Sequence, residues 1–509
     1  MTTLNARLRE VEVNDLSLPE KVGQVLMVGF AGKDAEGARD AIVNLKVGGI
    51  IYFARNTGSI PETATLSQTL QDMAAACGSL PLLISIDQEG GPVVRLDRGL
   101  PLMPGPMSLG ATGDPDLAFK VARATGTQVR AAGININLAP VLDANDNPAN
   151  PVIGVRSFGS DPSLVETLGA AAVKGFMSAG VAPVGKHFPG HGNTSVDSHF
   201  DLPVLPHTME RLEEVELRPF RAAIRAGVPA IMTAHILFSV IDPERPATLS
   251  EPVLQGLLRR ALGFQGVIMT DCMEMDAISK NPGTARGAVL ALKAGADMVL
   301  ISHTSRYQRE AYEMIVEAVR TGEIPLSRLD DAVRRVLSMK KALKVPNPLP
   351  PDAALTEEFR RLSAEAHLRS ITVLKDDTLP RPGGPGSRFV IHSPYPATAL
   401  VEALTRRGAQ VVHRIYEGDT GSGSHDATVV VLTQNAWKDA EHAAHVKSIL
   451  QEKPDAIVVA TRDPYDFRVF PEARSFICSY SHRPEALQAL AEVITGAAPG
   501  KGKLPVMLQ

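Results

Sequence analysis

A short segment at residues 186–201 holds the densest group of acid, base and ligand side chains in the sequence. It reads KHFPGHGNTSVDSHFD and contains one lysine, three histidines and two aspartates. An aspartate two residues before a histidine can hold the imidazole in one tautomer and raise its basicity, which suits proton transfer near neutral pH. Asp197 and His199 have this spacing, and we interpret them as a candidate acid/base pair.

Two other interpretations of the segment remain open. Histidine and aspartate are also ligands of zinc and related ions, which makes a metal-dependent hydrolase an alternative. The spacing does not match HExxH, and Lys186 would place a cation beside the bound ion. The third interpretation is a loop that internal hydrogen bonds hold together. We expect no cofactor and no metal ion.

Asp271 ends the apolar run GVIMTD and is a candidate nucleophile. A carboxylate fixed at the end of a strand can attack an anomeric carbon, form a covalent glycosyl intermediate and then be released by water. Glu274 is a competing carboxylate, but it lies beyond the end of the run. The alternative role for Asp271 is a cap on the following helix, which aspartate commonly provides.

Eight apolar runs of strand length, each followed by a stretch with helical periodicity, provide the elements that must position these residues. The runs are GQVLMVGF, GGIIYF, PLLISID, ININLAPVLD, VAPVGKHF, PAIMTAHI, GVIMTD and GADMVLI. This alternation predicts a (β/α)8 TIM-like barrel, whose active site lies at the carboxyl ends of the strands. Many runs end in a residue able to do chemistry: Asp87, Asp143, Lys186 with His187, His235, Asp271 and His303.

The chain divides at a proline-rich segment. We predict a barrel domain over residues 1–345, a linker over 346–356 and a smaller α/β sandwich domain over 357–509. Five further apolar runs alternate with helical stretches in the last part: SITVLKD, RFVIHSP, AQVVHRIY, ATVVVLTQN and AIVVATRD. The glycine-rich segments RPGGPGS and EGDTGSGSH are predicted to be exposed loops.

Composition excludes several classes of protein. The formal net charge is -4 and charged residues make up 21%, so the chain has no electrostatic footprint for nucleic acid. No apolar run is long enough to span a membrane, and the N-terminal residues lack the apolar stretch of a secretory signal, so we expect none. The chain has 3 cysteines, which cannot all pair, so we expect a cytoplasmic protein. The sequence does not indicate an oligomeric state.

Four segments resemble the bacterial β-N-acetylglucosaminidases, or β-hexosaminidases, of glycoside hydrolase family 3. They are IDQEGGPVVRL, APVLDANDNPANPVIGVRSFG, KHFPGHGNTSVDSH and GFQGVIMTD. The resemblance spans about residues 18–345, and the C-terminal part is similar to the α/β sandwich that many members add. It implies that Asp271 is the nucleophile, that His199 is the general acid/base and that Asp197 is its carboxylate partner. It also implies four sugar-binding residues: Asp87, Arg156, Lys186 and His187.

The resemblance implies a retaining exo-enzyme that removes terminal β-linked GlcNAc from a small carbohydrate, with peptidoglycan fragments as the expected substrate. A single tryptophan, Trp437, and 5% aromatic residues favour a compact pocket over a long stacking platform. Some relatives that use a histidine transfer the sugar to phosphate instead of water. A β-N-acetylglucosaminide phosphorylase that uses the same site is therefore an alternative.

Overall fold

Within residues 7–416 and 426–508, which the computed structural model describes, eight parallel strands close into a barrel. The predicted loop EGDTGSGSH (417–425) lies outside the described residues. The strands are β1 Leu26–Val28, β2 Gly49–Tyr52, β3 Leu83–Ile86, β4 Ile136–Asn137, β5 Ala182–Phe188, β6 Ala230–Thr233, β7 Val267–Cys272 and β8 Met298–Ile301. The order around the barrel is β1-β8-β7-β6-β5-β4-β3-β2, which confirms the predicted (β/α)8 fold.

The barrel strands are mostly apolar because both of their faces are buried, and their polar residues lie toward the carboxyl ends. Inside the barrel, Met27, Leu83, Val184 and Met269 belong to one cluster of side chains. Residues of the helix Leu326–Leu343, including Val336 and Met339, belong to the same cluster. The barrel is therefore a packed core rather than a pore, as its alternating layers of branched side chains require.

Helices surround the barrel and several begin at strong sequence signals. The side chains of Asp114 and Asp161 accept N–H groups of the first turn, and a proline follows each of them. The main helices of this part of the chain are Leu18–Gln24, Ile60–Ala76, Pro106–Thr112, Pro115–Ala131, Pro162–Ser178, Met209–Arg211, Leu212–Glu216, Leu217–Arg225, Pro252–Ala261, Asp276–Ser279, Thr284–Ala294, Ser305–Arg320 and Leu326–Leu343. No helix in the described part of the chain is both long and apolar enough to cross a membrane.

A mixed sheet follows the barrel. Its strands are β9 Thr372–Asp376, β10 Arg388–Ser393, β11 Gln410–Ile415, β12 Thr428–Thr433, β13 Ile457–Ala460 and β14 Ser475–Cys478. They lie in the order β9-β14-β13-β12-β10-β11, and only the β9–β14 pairing is antiparallel among the described strands. The helices are Glu357–Ser370, Thr398–Arg406, Ala440–Glu452 and Pro484–Ile494. This α/β layer is the predicted sandwich, with β14 as an additional strand that the apolar runs did not include.

The sheet domain and the barrel share a hydrophobic core. Met107, Ala111 and Val155 of the barrel lie in one cluster with Tyr480 and Val506 from the C-terminal part. Polar contacts also cross this boundary, because the Val155 N–H donates to Asp463 Oδ1 at 2.9 Å. The second domain therefore supports the barrel segment that carries Arg156.

Candidate active site

A cavity of about 420 Å³ opens at the carboxyl ends of the barrel strands. Six of the seven predicted site residues line it: Asp87, Arg156, Lys186, His187, His199 and Asp271. The seventh, Asp197, is hydrogen-bonded to His199. The structure therefore brings together side chains that lie up to 184 residues apart in the sequence, from Asp87 to Asp271.

Buried ion pairs form one side of the cavity. The Nζ of Lys186 lies 2.8 Å from Asp87 Oδ1 and 2.7 Å from Glu89 Oε1. Arg156 binds the same Glu89 with two nitrogens, at 2.8 and 2.9 Å. The Lys186 and Glu89 side chains are only 2% and 1% exposed. This arrangement presents fixed donors and acceptors to a polar ligand.

Glu89 is a residue that sequence reasoning missed. Burial alone would raise the pKa of its carboxyl, but the charges and hydrogen bonds of Arg156 and Lys186 hold the pKa well below its usual range. The same contacts raise the pKa of Arg156 and Lys186 against the opposite effect of burial. Glu89 lies two residues after Asp87 in IDQEGG, so proximity to a predicted binding residue was the available signal.

Asp143 holds His187 in place. The Nδ1–H of His187 donates to Asp143 Oδ2 at 2.7 Å, which leaves the other ring nitrogen toward Arg156. The backbone N–H of His191 also donates to Asp143, at 2.7 Å. Burial lowers the pKa of His191 to about 4, so this histidine is neutral and bridges Asp143 to Ser198, whose hydroxyl lies 3.1 Å from Nε2.

Asp271 lies at the end of β7, where the strand prediction placed it. One carboxylate oxygen accepts the N–H of Cys272 at 2.7 Å. Burial would raise the pKa of Asp271, but the charges of His187 and His235 and the Cys272 N–H outweigh it and lower the pKa below the usual value. The carboxylate is therefore ionised at neutral pH. Glu274 accepts the N–H groups of His303 and Thr304, which occupies one of its oxygens.

The His199–Asp197 pair stands at the mouth of the cavity. Nδ1 of His199 lies 2.7 Å from Asp197 Oδ1, and the side chains are 57% and 23% exposed. Because the carboxylate accepts from Nδ1–H, the free Nε2 is the nitrogen that exchanges protons. The loop is docked on the short helix Asp276–Ser279, since the Asp276 N–H donates to His199 O and Lys280 Nζ donates to Phe200 O at 2.8 Å.

The three histidines of segment 186–201 do not converge on one point. His187 contacts Asp143, His191 contacts Thr194 and Ser198, and His199 contacts Asp197. In residues 7–416 and 426–508, no three His, Cys, Asp or Glu side chains are arranged to hold a metal ion. In the structure Asp143 accepts from both the His187 ring and the His191 backbone, whereas His199 is bonded to Asp197.

The model of the glycosyl hydrolase family 3 N-terminal domain matches residues 17–339. The chain belongs to glycoside hydrolase family 3. The match covers the barrel and all of the strand ends that build the cavity. The protein is therefore a glycoside hydrolase, as the resemblance implied.

Relatives of this family 3 enzyme extend over both domains. Beta-hexosaminidase A of Pseudoalteromonas piscicida is 32% identical, over 96% of this chain and 97% of its own length. The solved family 3 beta-N-acetylglucosaminidase of Paenibacillus sp. str. FPU-7 is 42% identical with a TM-score of 0.92, and the alignment covers 97% of this chain and 99% of that one. Beta-glucoside phosphorylase BglX, 23% identical, has a TM-score of 0.87 over 100% of this chain and 97% of its own, which shows a shared fold only.

Proposed function

We propose that this family 3 glycoside hydrolase is a retaining exo-β-N-acetylglucosaminidase that removes terminal β-linked GlcNAc. The observation that carries the proposal is the pairing of an ionised, partly buried carboxylate, Asp271, with an exposed His199 on the same cavity, whose ring is hydrogen-bonded to Asp197. These are the nucleophile and the acid/base that a two-step displacement needs. Relatives named beta-hexosaminidase and beta-N-acetylglucosaminidase that match nearly the full chain support the choice of sugar.

The first step is attack of Asp271 on the anomeric carbon. The C1–O bond breaks as the carboxylate oxygen bonds to C1, and Nε2–H of His199 gives its proton to the leaving oxygen. In the second step the neutral imidazole takes a proton from water while the water oxygen attacks C1 and releases Asp271. Asp197 keeps the imidazole oriented through Nδ1–H and stabilises the imidazolium form.

Four buried or partly buried groups bind the terminal sugar in this proposal: Asp87, Arg156, Lys186 and His187. Their ion pairs and hydrogen bonds fix donors and acceptors before the sugar arrives, so little ordering is needed on binding. The packed barrel core below them closes the floor of the cavity. Only the end of a sugar chain fits such a site, which supports exo cleavage.

We propose peptidoglycan fragments, with GlcNAc linked β-1,4 to a (1,6-anhydro) N-acetylmuramic acid residue, as the natural substrate, and the cytoplasm as the location. The motif resemblance supports the first, and a cysteine complement without disulfides, Cys77, Cys272 and Cys478, supports the second.

Transfer to phosphate is the second candidate function. Arg95 lines the cavity, and its Nε is buried without a hydrogen-bond partner among the described residues. A guanidinium group suits phosphate, and a neutral histidine acid/base repels that anion less than a carboxylate would. This observation favours testing phosphate as the acceptor.

The test measures release of 4-nitrophenol from the β-GlcNAc and β-glucose glycosides by wild type and Asp271→Ala, with and without phosphate. We expect turnover of the GlcNAc compound that EDTA does not affect and that falls by at least about 10³-fold in the variant. Azide added to Asp271→Ala is expected to restore turnover and give the α-glycosyl azide. Stimulation of wild type by phosphate, with GlcNAc 1-phosphate as product, would establish the phosphorylase.

The matched control is Asp72→Ala, an exposed aspartate on the helix Ile60–Ala76. It is expected to keep wild-type activity. An inactive wild type on the GlcNAc compound, or an active Asp271→Ala, would show that the proposed sugar or nucleophile is wrong.

A further inference from the structure

The rim of the cavity between β2 and β8 has no role in the two-step reaction. Phe53 follows β2 directly and His303 lies two residues after β8, and both side chains line the cavity. His303 is exposed, whereas Lys186 and His187 on the other side are buried. These two rings therefore lie nearer to solvent than the groups that bind the terminal sugar.

One hydrogen bond holds the ring of His303 and another holds its backbone. Arg55 Nη1 lies 3.2 Å from His303 Nδ1, and the His303 backbone N–H donates to Glu274 Oε1 at 2.7 Å. Arg55 is itself held, because Nε donates to Phe30 O at 2.9 Å and Nη2 to Ser302 O at 2.7 Å. A rigid arginine at the mouth of a barrel thus serves to position a neighbouring ring.

The contact with Arg55 also determines the tautomer of His303. A guanidinium nitrogen only donates, so Nδ1 accepts and the proton of the neutral ring lies on Nε2. Partial desolvation of the ring and the charge of Arg55 lower the pKa of His303, which keeps it neutral at pH 7. The ring therefore presents one N–H donor. The Phe53 ring lies 4.9 Å away, with the Arg55 guanidinium 4.4 Å from its centroid.

We propose that Phe53, Arg55 and His303 form a binding subsite for the sugar next to the scissile bond on the leaving-group side. In this subsite Nε2–H of His303 donates to an oxygen of that sugar, and the two rings pack against its pyranose face. The proposal rests on the proposed function, because it requires the terminal GlcNAc to occupy the buried side of the cavity. Phe53 and His303 are the specificity-determining contacts, and Arg55 is a positioning residue.

The chemistry of the subsite selects a pyranose leaving group with an acceptor oxygen. Carbohydrate rings have apolar faces that pack on aromatic side chains, and their hydroxyl oxygens accept hydrogen bonds. A methyl leaving group is too small to make either contact. The subsite should therefore distinguish a disaccharide from a simple methyl glycoside, while the terminal sugar is the same in both.

The experiment compares kcat/KM for N,N′-diacetylchitobiose and methyl β-N-acetylglucosaminide in wild type, His303→Ala and His303→Phe. The inhibition constant for free GlcNAc is measured alongside. The control variant is Arg306→Ala, which changes an exposed residue on the following helix outside the cavity. Thermal unfolding of each variant verifies that the protein is folded.

We expect His303→Ala to lower kcat/KM for the disaccharide about tenfold, because the variant loses one hydrogen bond and the packing of the ring. The methyl glycoside and the GlcNAc inhibition constant should change less than about twofold, and His303→Phe should recover part of the loss through packing. A parallel fall for both substrates, or weaker GlcNAc inhibition, would place His303 at the terminal sugar and overturn the subsite. A wild type inactive on both substrates would instead contradict the proposed function.

Discussion

Glu89 shows how one carboxylate organises two cations at the bottom of the site. Replacing it by glutamine leaves the buried Arg156 without its carboxylate partner and leaves Lys186 paired with Asp87 alone. We expect Glu89→Gln to destabilise the protein by about 3 kcal/mol at pH 7 and to weaken GlcNAc binding, because breaking a buried ion pair leaves an uncompensated charge. Denaturant unfolding and GlcNAc inhibition measure the two effects.

The stabilisation that Glu89 gives the folded protein should depend on pH in one direction. The folded-state pKa of Glu89 is lowered from the ordinary value of 4.5, so its stabilisation is present above pH 4.5 and lost as the pH falls toward the folded-state value. The difference between wild type and Glu89→Gln should therefore be larger at pH 7 than at pH 3.5. An exposed control, Glu310→Gln, should show no such difference. An equal loss at both pH values would contradict the ionised assignment.

For Asp466 we expect the opposite dependence of stability on pH. Burial raises its pKa from 3.8 to about 6, while its oxygens accept from the Thr433 hydroxyl and from the backbone N–H of Trp437. Between pH 4 and 6 the folded state keeps a proton that the unfolded state has lost, so stability falls as pH rises. We expect Asp466→Asn to be more stable than wild type by about 3 kcal/mol at pH 8 and equal to it near pH 4. Thermal unfolding across this range tests it, and a variant less stable at pH 8 would contradict it.

The sequence identified individual site residues wherever a motif fixed them. Asp271, His199 and Lys186 could be placed on a strand end or a loop from local pattern alone. The partners Glu89 and Asp143 could not be assigned, because their roles depend on side chains distant in the sequence: Arg156 lies 67 residues from Glu89, and His187 lies 44 residues from Asp143. Such contacts exist only after the barrel has closed.

The strands were predictable where both faces of the sheet are buried. Most residues of the barrel strands are apolar on both faces, so their runs stand out from the helical pattern around them. β14 was not recognised because Arg474 directly precedes its short apolar run, and its antiparallel partner β9 lies about 100 residues earlier. Docking of the His199 loop on the helix Asp276–Ser279 was also invisible, because it uses backbone groups that no residue type reveals.

The contact between the His199 loop and the end of the helix Asp276–Ser279 can be tested by mutation. Lys280 Nζ holds Phe200 O, one residue after His199, so Lys280→Met should loosen the acid/base group. We expect kcat/KM for N,N′-diacetylchitobiose to fall about threefold to tenfold, because the leaving group of this substrate needs a proton. A decrease of this size corresponds to the loss of one hydrogen bond. The 2,4-dinitrophenyl glycoside, which leaves without protonation, should be unaffected.

The control for the loop is Lys293→Met, an exposed lysine on the helix Thr284–Ala294. A similar fall for both substrates in Lys280→Met would indicate a general structural effect and contradict a role in positioning His199.

At the scale of the whole molecule, the second domain packs closely against the backbone beside the cavity, at Gly154. Gly154 has a φ of +45°, and a Cβ there would lie 2.4 Å from Asp463 Oδ1. The backbone that leads to Arg156 is thus pressed against the second domain, in a conformation that favours glycine. Gly154 lies two positions before Arg156, which we predict to bind the sugar, so one short segment belongs to both the domain interface and the site.

The C-terminal tail, which follows Gly502, also packs against the barrel near Arg156. Its removal should therefore lower both stability and activity. Pro505 O accepts the N–H of Ser160, Lys503 N–H donates to Ala111 O, and Val506 is 5% exposed within the shared core. Ending the chain after Gly502 should cost about 3 kcal/mol, from one buried valine and two hydrogen bonds, and lower the Tm.

Because Ser160 follows Arg156 by four residues, kcat/KM should fall together with GlcNAc affinity in the truncated chain. If that chain does not fold, Val506→Asp tests the same contact with one substitution, against Met507→Ala at an exposed neighbour that is 66% accessible. A truncated chain with wild-type Tm and GlcNAc affinity would mean that the tail rests on the barrel without supporting it. A loss of Tm with unchanged affinity would confine the role of the tail to stability, since the Arg156 segment would then hold its place without it.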